Sequence, residues 1–215
     1  MKFYDTDHKF REPTDLGYTT IIEIMDADTL AVAQQFSNPC CLNFASHKRP
    51  GGGYKAVMDI PMPIKTQEED LFRRSNLPEL MDIQEIKAYY PLVELKGFYG
   101  KATVNKDAKL VNLEKPFVIG VVTVPAVVNP NSSHTKLIED KIRRIMDIAA
   151  DNLHKDLVLG AWGCGVFNND PTFVAKTFKK FLEGDFKGVF ENVVFGIPGK
   201  TSMNYKLFNE ALAVP

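Results

Sequence analysis

At 215 residues with 45% hydrophobic side chains, the chain is long enough to bury a substantial core, and its length predicts one domain spanning 1–215. Lys and Arg number 26 against 27 Asp and Glu, a formal net charge of -1, so bulk electrostatics recruit neither nucleic acid nor an anionic membrane. Three cysteines, two of them the neighbours Cys40 and Cys41, argue against a disulfide framework and for a reducing compartment. Lys2, Asp5, Asp7 and Lys9 stand where a signal peptide would be apolar, and no run is long and apolar enough for a membrane span. The expectation is a soluble, cytoplasmic monomer.

Residues 1–18 are an N-terminal extension. The first apolar, β-branched run, Thr19 to Met25, predicts a strand, and Asp28 is placed to cap a helix running to Phe36. Cys40 to Phe44 predicts the next strand. It leads into Asn43-Phe44-Ala45-Ser46 and then Arg49-Pro50-Gly51-Gly52-Gly53. Three glycines in a row cost backbone entropy and pack nothing, so they mark either a flexible turn or a place where a ligand approaches the main chain. An arm of 13 residues, 54 to 66, follows, and its Met58-Asp59-Ile60-Pro61-Met62-Pro63 is an inserted loop or extended segment because two prolines forbid a helix. The arm ends at Gln67-Glu68-Glu69. With Asp70 these acids precede Leu71-Phe72, which alone reads as a solvated helix start favoured by the helix dipole.

Leu80 to Tyr90 predicts a helix, and Phe98 to Val104 with Leu110 to Leu113 predicts an edge hairpin around Asn105-Lys106-Asp107. Phe117 to Val128 is a further strand. Leu137 to Leu153 sets Ile138, Ile142, Ile145, Ala149 and Asn152 or Leu153 on one helical face. Leu157 to Trp162 predicts a strand, and Asp170-Pro171 supplies an N-cap and a first-turn proline for a helix to about Glu183. Asn192 to Ile197 closes the series. Strands alternating with helices predict an α/β fold whose mixed or largely parallel sheet is covered on both faces.

Ligands of open α/β sheets bind beyond the carboxyl ends of the strands. The segment Leu157 to Phe167 runs from strand through Gly160, Gly163 and Gly165 toward a helix start, so it is either a tight turn or a backbone cradle for a diphosphate. It matches neither the dinucleotide fingerprint nor the Walker A loop. Glu68 and Glu69 are sequence neighbours, whose side chains diverge by ~100° on a helix, so they cannot flank one glycosidic bond and must have separate tasks. Cys164 shares no nucleophile spacing with His8, His47, His134 or His154, and no metal or cofactor motif is present.

The order Asn43-Phe44-Ala45-Ser46, Pro50-Gly51-Gly52-Gly53, Gln67-Glu68-Glu69 resembles the signature of the microbial-type poly(ADP-ribose) glycohydrolases, a branch of the macrodomain fold. Ile21-Ile22-Glu23-Ile24 and Asp28-Thr29-Leu30 upstream, and Leu159 to Phe167 downstream, extend the resemblance from about residue 20 to about residue 210. It implies a three-layer macrodomain-like fold with a mixed central sheet and helices on both faces, and hydrolysis of ADP-ribosyl O-glycosidic linkages with poly(ADP-ribose) as default substrate. By the same resemblance Glu69 is the catalytic acid and then base, Glu68 holds ribose hydroxyls, and Asn43 positions the reacting ribose. Gly51, Gly52, Gly53, Gln67, Gly163, Cys164, Gly165 and Val166 contact the substrate. Phe167 would lie against the distal ribose and Phe195 beside adenine, or either would be core packing. The arm after Gly53 is longer than the family pattern, which bears on substrate choice. Mono-ADP-ribosylated protein or nucleic acid and small NAD-derived nucleotides are the alternative substrates, and a non-catalytic ADP-ribose reader is the alternative class. A reader has no need of Glu69.

Overall fold

The computed structural model describes residues 1–54, 66–104 and 116–213. Their strands are β1 (Lys2–Tyr4), β2 (Ile21–Met25), β3 (Pro39–Asn43), β4 (Gly97–Val104), β5 (Phe117–Thr123), β6 (Asp156–Leu159) and β7 (Asn192–Gly196). They form one sheet in the order β1-β4-β5-β3-β6-β7-β2. From β5 to β2 the neighbours run parallel, while β1 with β4 and β4 with β5 are antiparallel, so the sheet is mixed. The helices are α1 (Thr29–Ala33), α2 (Gln67–Arg73), α3 (Leu77–Met81), α4 (Gln84–Tyr89), α5 (Thr135–Asp151), α6 (Pro171–Glu183) and α7 (Met203–Leu212).

Alternation along each strand divides the core into two layers. Leu42, Val122, Leu157, Leu159, Val193 and Phe195 turn to the face covered by α5, α6 and α7. Cys41, Val121, Val158 and Val194 turn to the face covered by α1 to α4. Both faces are buried, which is why the central strands read as continuous apolar runs.

The predicted caps form. Asp28 Oδ1 accepts from Leu30 N and Ala31 N at 2.9 Å each, and Asp170 Oδ1 accepts from Thr172 N at 2.9 Å ahead of Pro171. On α5 the predicted Ile138, Ile142, Ile145 and Ala149 are buried. Leu153 is not part of that face: it is 87% exposed with φ 59 beyond the helix end, and Asn152 instead closes the helix by donating to Ile148 O.

Two expectations need correction. The predicted helix over 80–90 is two short helices, α3 and α4, parted at Asp82-Ile83. Strand β4 is not at the sheet edge, because its partners are β1 and β5, with Phe98 opposite Thr123 and Val104 opposite Phe117. Leu110 to Leu113 and the turn Asn105-Lys106-Asp107 lie outside the described residues, as does the Met58 to Pro63 stretch of the arm. The N-terminal extension belongs to the fold. Lys2–Tyr4 supplies the edge strand, the Arg144 guanidinium donates to Asp5 O (3.2 Å) and Thr6 O (3.1 Å) and lies over the Phe10 ring, and Leu16 N reaches Gly188 O at 3.0 Å.

Candidate active site

The carboxyl ends of β2, β3, β5, β6 and β7 open into one cleft of about 1640 Å³, the place where the parallel part of such a sheet leaves loops and helix starts exposed. Gly52, Gly53, Glu68 and Glu69 line it from one side of the chain's first half, and Gly163, Gly165, Val166 and Phe167 line it from the second.

Helix α2 begins at Gln67, so Glu68 and Glu69 sit in its first turn, where the helix dipole favours carboxylates. Gln67 fastens that turn to the sheet. Its Oε1 accepts from Phe44 N (2.9 Å), and its Nε2 donates to Leu42 O (2.7 Å) and Thr29 Oγ1 (3.1 Å). Gln67, expected among the substrate contacts, lines the cleft, and its amide is engaged at both ends in fastening α2.

The two acids differ in how they are held. Glu68 is 2% exposed, and both oxygens are occupied: Oε1 accepts from Asn43 Nδ2 and Gly51 N at 3.2 Å each, and Oε2 accepts from Ser46 N at 2.7 Å. Glu69 accepts from Gly53 N at 3.0 Å through Oε1 only, and its Oε2 has no hydrogen-bond partner among the described residues. Gly52 covers the pair. At its φ of +52 a Cβ would lie 2.9 Å from Glu69 Oε1 and 3.1 Å from Glu68 Oε2, so only a glycine lets the loop pass over both carboxyl ends.

Burial pushes the Glu68 carboxyl up from its ordinary 4.5 to about 8, outweighing the downward pull of the Ser46, Asn43 and Gly51 donors, with neighbouring Glu69 adding a smaller upward push. A folded-state value above the unfolded one means the folded chain holds the proton more tightly. The stability this group contributes is therefore complete at low pH and is lost as pH rises from 4.5 toward 8. Glu68→Gln cannot titrate. The thermal-stability advantage of wild type over Glu68→Gln should accordingly shrink between about pH 5 and about pH 8, and a constant or widening gap would contradict this assignment.

Several expected ligand contacts have other jobs. Asn43 is fully buried and supports Glu68, not the cleft surface, while Gly51 is buried against the Phe72 ring and donates its N–H to Glu68. Cys164 turns its thiol back to Trp162 O at 3.4 Å, and burial pushes that thiol up to about 12, which leaves no thiolate for nucleophilic chemistry. Phe195 lies in the core, fully buried between Phe178 and Phe208 at centroid distances of 5.5 and 5.6 Å, so it is not beside the cleft. A Phe195→Ala change should therefore destabilise the fold by about 3–5 kcal/mol in urea titration, the cost of emptying a packed aromatic site. Stability within 1 kcal/mol of wild type would be inconsistent with that packing.

The second loop is built for exposed backbone. Trp162, fully buried, anchors it through Nε1 to Val124 O at 2.9 Å. Beyond that anchor the N–H groups of Gly163, Gly165, Val166 and Phe167 donate to nothing among the described residues, and no atom lies within 4 Å of the Cβ direction of Gly165. Val166 is 77% exposed at the cleft mouth. Unpaired N–H groups in a cleft-lining loop that follows a strand suit an anionic oxygen ligand. The sequence reading missed Asn129 and Asn169, which stitch this loop to the one after β5. Their signal was ordinary turn chemistry, Asn129-Pro130 and Asn168-Asn169-Asp170, with nothing local to announce the long-range pairing.

The chain resembles solved structures along nearly its whole length. A poly(ADP-ribose) glycohydrolase point mutant from Deinococcus radiodurans, in complex with ADP-ribose, is 30% identical over 91% of this chain and 85% of its own, with a TM-score of 0.78. The chain belongs to the microbial-type poly(ADP-ribose) glycohydrolases. The family model for the microbial-type poly(ADP-ribose) glycohydrolase catalytic domain matches residues 1–103, which hold the glycine triplet and both acids. The Thermomonospora curvata glycohydrolase bound to the inhibitor ADP-HPD is 30% identical over 89% of this chain and 79% of its own, with a TM-score of 0.76. No curated protein matches the chain. As a microbial-type poly(ADP-ribose) glycohydrolase the protein is a glycosidase, and the macrodomain-like α/β architecture expected from the motifs is the observed one.

Proposed function

We propose that this glycohydrolase hydrolyses the ribosyl O-glycosidic bonds of poly(ADP-ribose) and releases ADP-ribose, with Glu69 as the one acid and base. The observation that carries the assignment is the unequal holding of the two carboxyls: Glu68 has both oxygens occupied, and Glu69, which lines the cleft, has one oxygen, the buried Oε2, with no hydrogen-bond partner among the described residues. The Glu69 carboxyl carries the proton to the oxygen leaving the anomeric carbon. The bond between that carbon and oxygen breaks with its electron pair going to the leaving oxygen, and the ribose becomes oxocarbenium-like. A water then adds to the anomeric carbon and returns a proton to the Glu69 carboxylate, so the residue ends as it began.

Glu68 is the ribose-binding carboxyl, fixed by Asn43, Ser46 and Gly51. The open N–H groups of Gly163, Gly165, Val166 and Phe167 receive the diphosphate, which orients the reacting ribose against Glu69. The solved relatives in complex with ADP-ribose and with ADP-HPD support an ADP-ribosyl ligand for this chain by resemblance. All three cysteines are unpaired, which supports a reducing, cytoplasmic location, and among the described residues no helix is long and apolar enough to cross a membrane. The test is chromatography of the products formed by wild-type protein from poly(ADP-ribose) beside a mono-ADP-ribosylated peptide. Free ADP-ribose from the polymer is the expected result. Binding of ADP-ribose with no release from either substrate would make the protein a reader.

A further inference from the structure

Two loops distant in sequence, residues 124–131 after β5 and 160–170 after β6, meet along one wall of the cleft. Asn169 lies at their junction with 3% exposure. Its Nδ2 points at three carbonyl oxygens, Val127 O at 2.7 Å, Gly163 O at 3.1 Å and Phe167 O at 3.3 Å, and its backbone N–H also reaches Gly163 O at 3.0 Å. Gly163 packs directly on this amide: at its φ of +75 a Cβ would come within 2.7 Å of Asn169 Nδ2 and 2.6 Å of Ala126 Cβ. An outer seam reinforces the inner one. Asn168 Nδ2 donates to Asn129 Oδ1 at 2.7 Å, Asn129 N donates to Phe167 O at 2.9 Å, and both asparagines occupy the left-handed region that this residue type tolerates.

The residues so fixed face the ligand space, whereas Asn169 itself is not in the cleft wall. We propose that Asn169 is a positioning residue, whose amide holds the 163–167 backbone in the arrangement that receives the diphosphate without touching the substrate. This rests on the reading of the cleft as the ADP-ribose site. The donor end of the amide is what matters, because a carboxylate in its place would turn lone pairs toward three carbonyl oxygens. No partner satisfies Asn169 Oδ1 among the described residues, so the acceptor end adds nothing to the seam.

Asn169→Asp tests this with almost no change of shape. The expected result is a rise of about 10-fold or more in KM for the polymer and in Kd for ADP-ribose by calorimetry. Turnover should fall by a smaller factor than binding does, because Glu69 is held by α2 and Gly53 and not by this seam, so only the orientation of the ribose is loosened. A merely structural residue would lower the melting temperature and leave KM and Kd of the folded fraction unchanged. Asn168→Gly provides a variant safe for folding, since it keeps the left-handed backbone and deletes only the exposed bond to Asn129; its Kd should rise about two- to fivefold. If both variants bind ADP-ribose as wild type does, the inference is overturned while the functional reading stands. If wild type itself fails to bind ADP-ribose, the functional reading falls and this inference falls with it.

Discussion

Replacing Glu69 by Ala should reduce ADP-ribose release by about 10²- to 10⁴-fold while ADP-ribose binding survives, the loss typical of removing one positioned general acid and base. The reasoning is geometric. Glu69 makes one hydrogen bond, to Gly53 N, and supports no other described residue, so its removal deletes a reactive group without dismantling the cleft. The contrast with Glu68 is sharp. Deleting that side chain would strand the donors of Asn43, Ser46 and Gly51 in a buried setting, at about 1–3 kcal/mol for each unsatisfied group, so Glu68→Ala confounds stability with chemistry. Release measured by chromatography, with binding measured by calorimetry on the same samples, separates the two. Full turnover by Glu69→Ala would mean that the acid lies elsewhere.

Gly52→Ala should be nearly as damaging to turnover, although it alters no group that reacts. The new methyl would stand 2.9 Å from Glu69 Oε1, closer than a Cβ approaches a heavy atom in a relaxed protein, and the carboxyl is the element free to yield. Misplacing a reacting group by about an ångström costs roughly 10²-fold in rate, so kcat should fall by about that factor. The positive φ adds about 1–2 kcal/mol of backbone strain, which a melting experiment would register as a modest loss. Gly53→Ala is the matched control. Its Cβ would lie 3.4 Å from the same oxygen with no left-handed backbone to strain, so kcat should drop by less than about tenfold. Equal effects at the two positions would show that the glycines act through loop flexibility rather than clearance over Glu69.

These two positions also mark how far the sequence carries. Continuous apolar, β-branched runs announced the central strands, because strands buried on both faces carry apolar residues at every position, and the Asp28 and Asp170 caps were legible from residue type and spacing. Lys2–Tyr4 was invisible as a strand: three residues carry no periodicity, and their pairing with β4 depends on contacts nearly one hundred positions away, such as Lys2 with Tyr99. The site was legible as a set of residues, not as a division of labour. Asn43, Gly51 and Gln67 stand in the motif beside Glu68 and Glu69, and no pattern in the chain distinguishes a residue that supports an acid from one that meets a ligand. Phe195 shows the same limit, since an aromatic near a strand end reads alike whether it points to the core or to the cleft.

The most direct test of the central claim is single-turnover release of ADP-ribose from poly(ADP-ribose) by Glu69→Gln and Glu68→Gln beside wild type, with melting temperatures recorded for all three. Gln at 69 keeps an oxygen for Gly53 N and removes the transferable proton; Gln at 68 turns an amide NH₂ toward donors that need an acceptor. The account predicts that Glu69→Gln remains as stable as wild type and loses release, whereas Glu68→Gln is destabilised and retains measurable release per folded molecule. A Glu69→Gln protein that releases ADP-ribose at the wild-type rate, beside an inactive but stable Glu68→Gln, would contradict it.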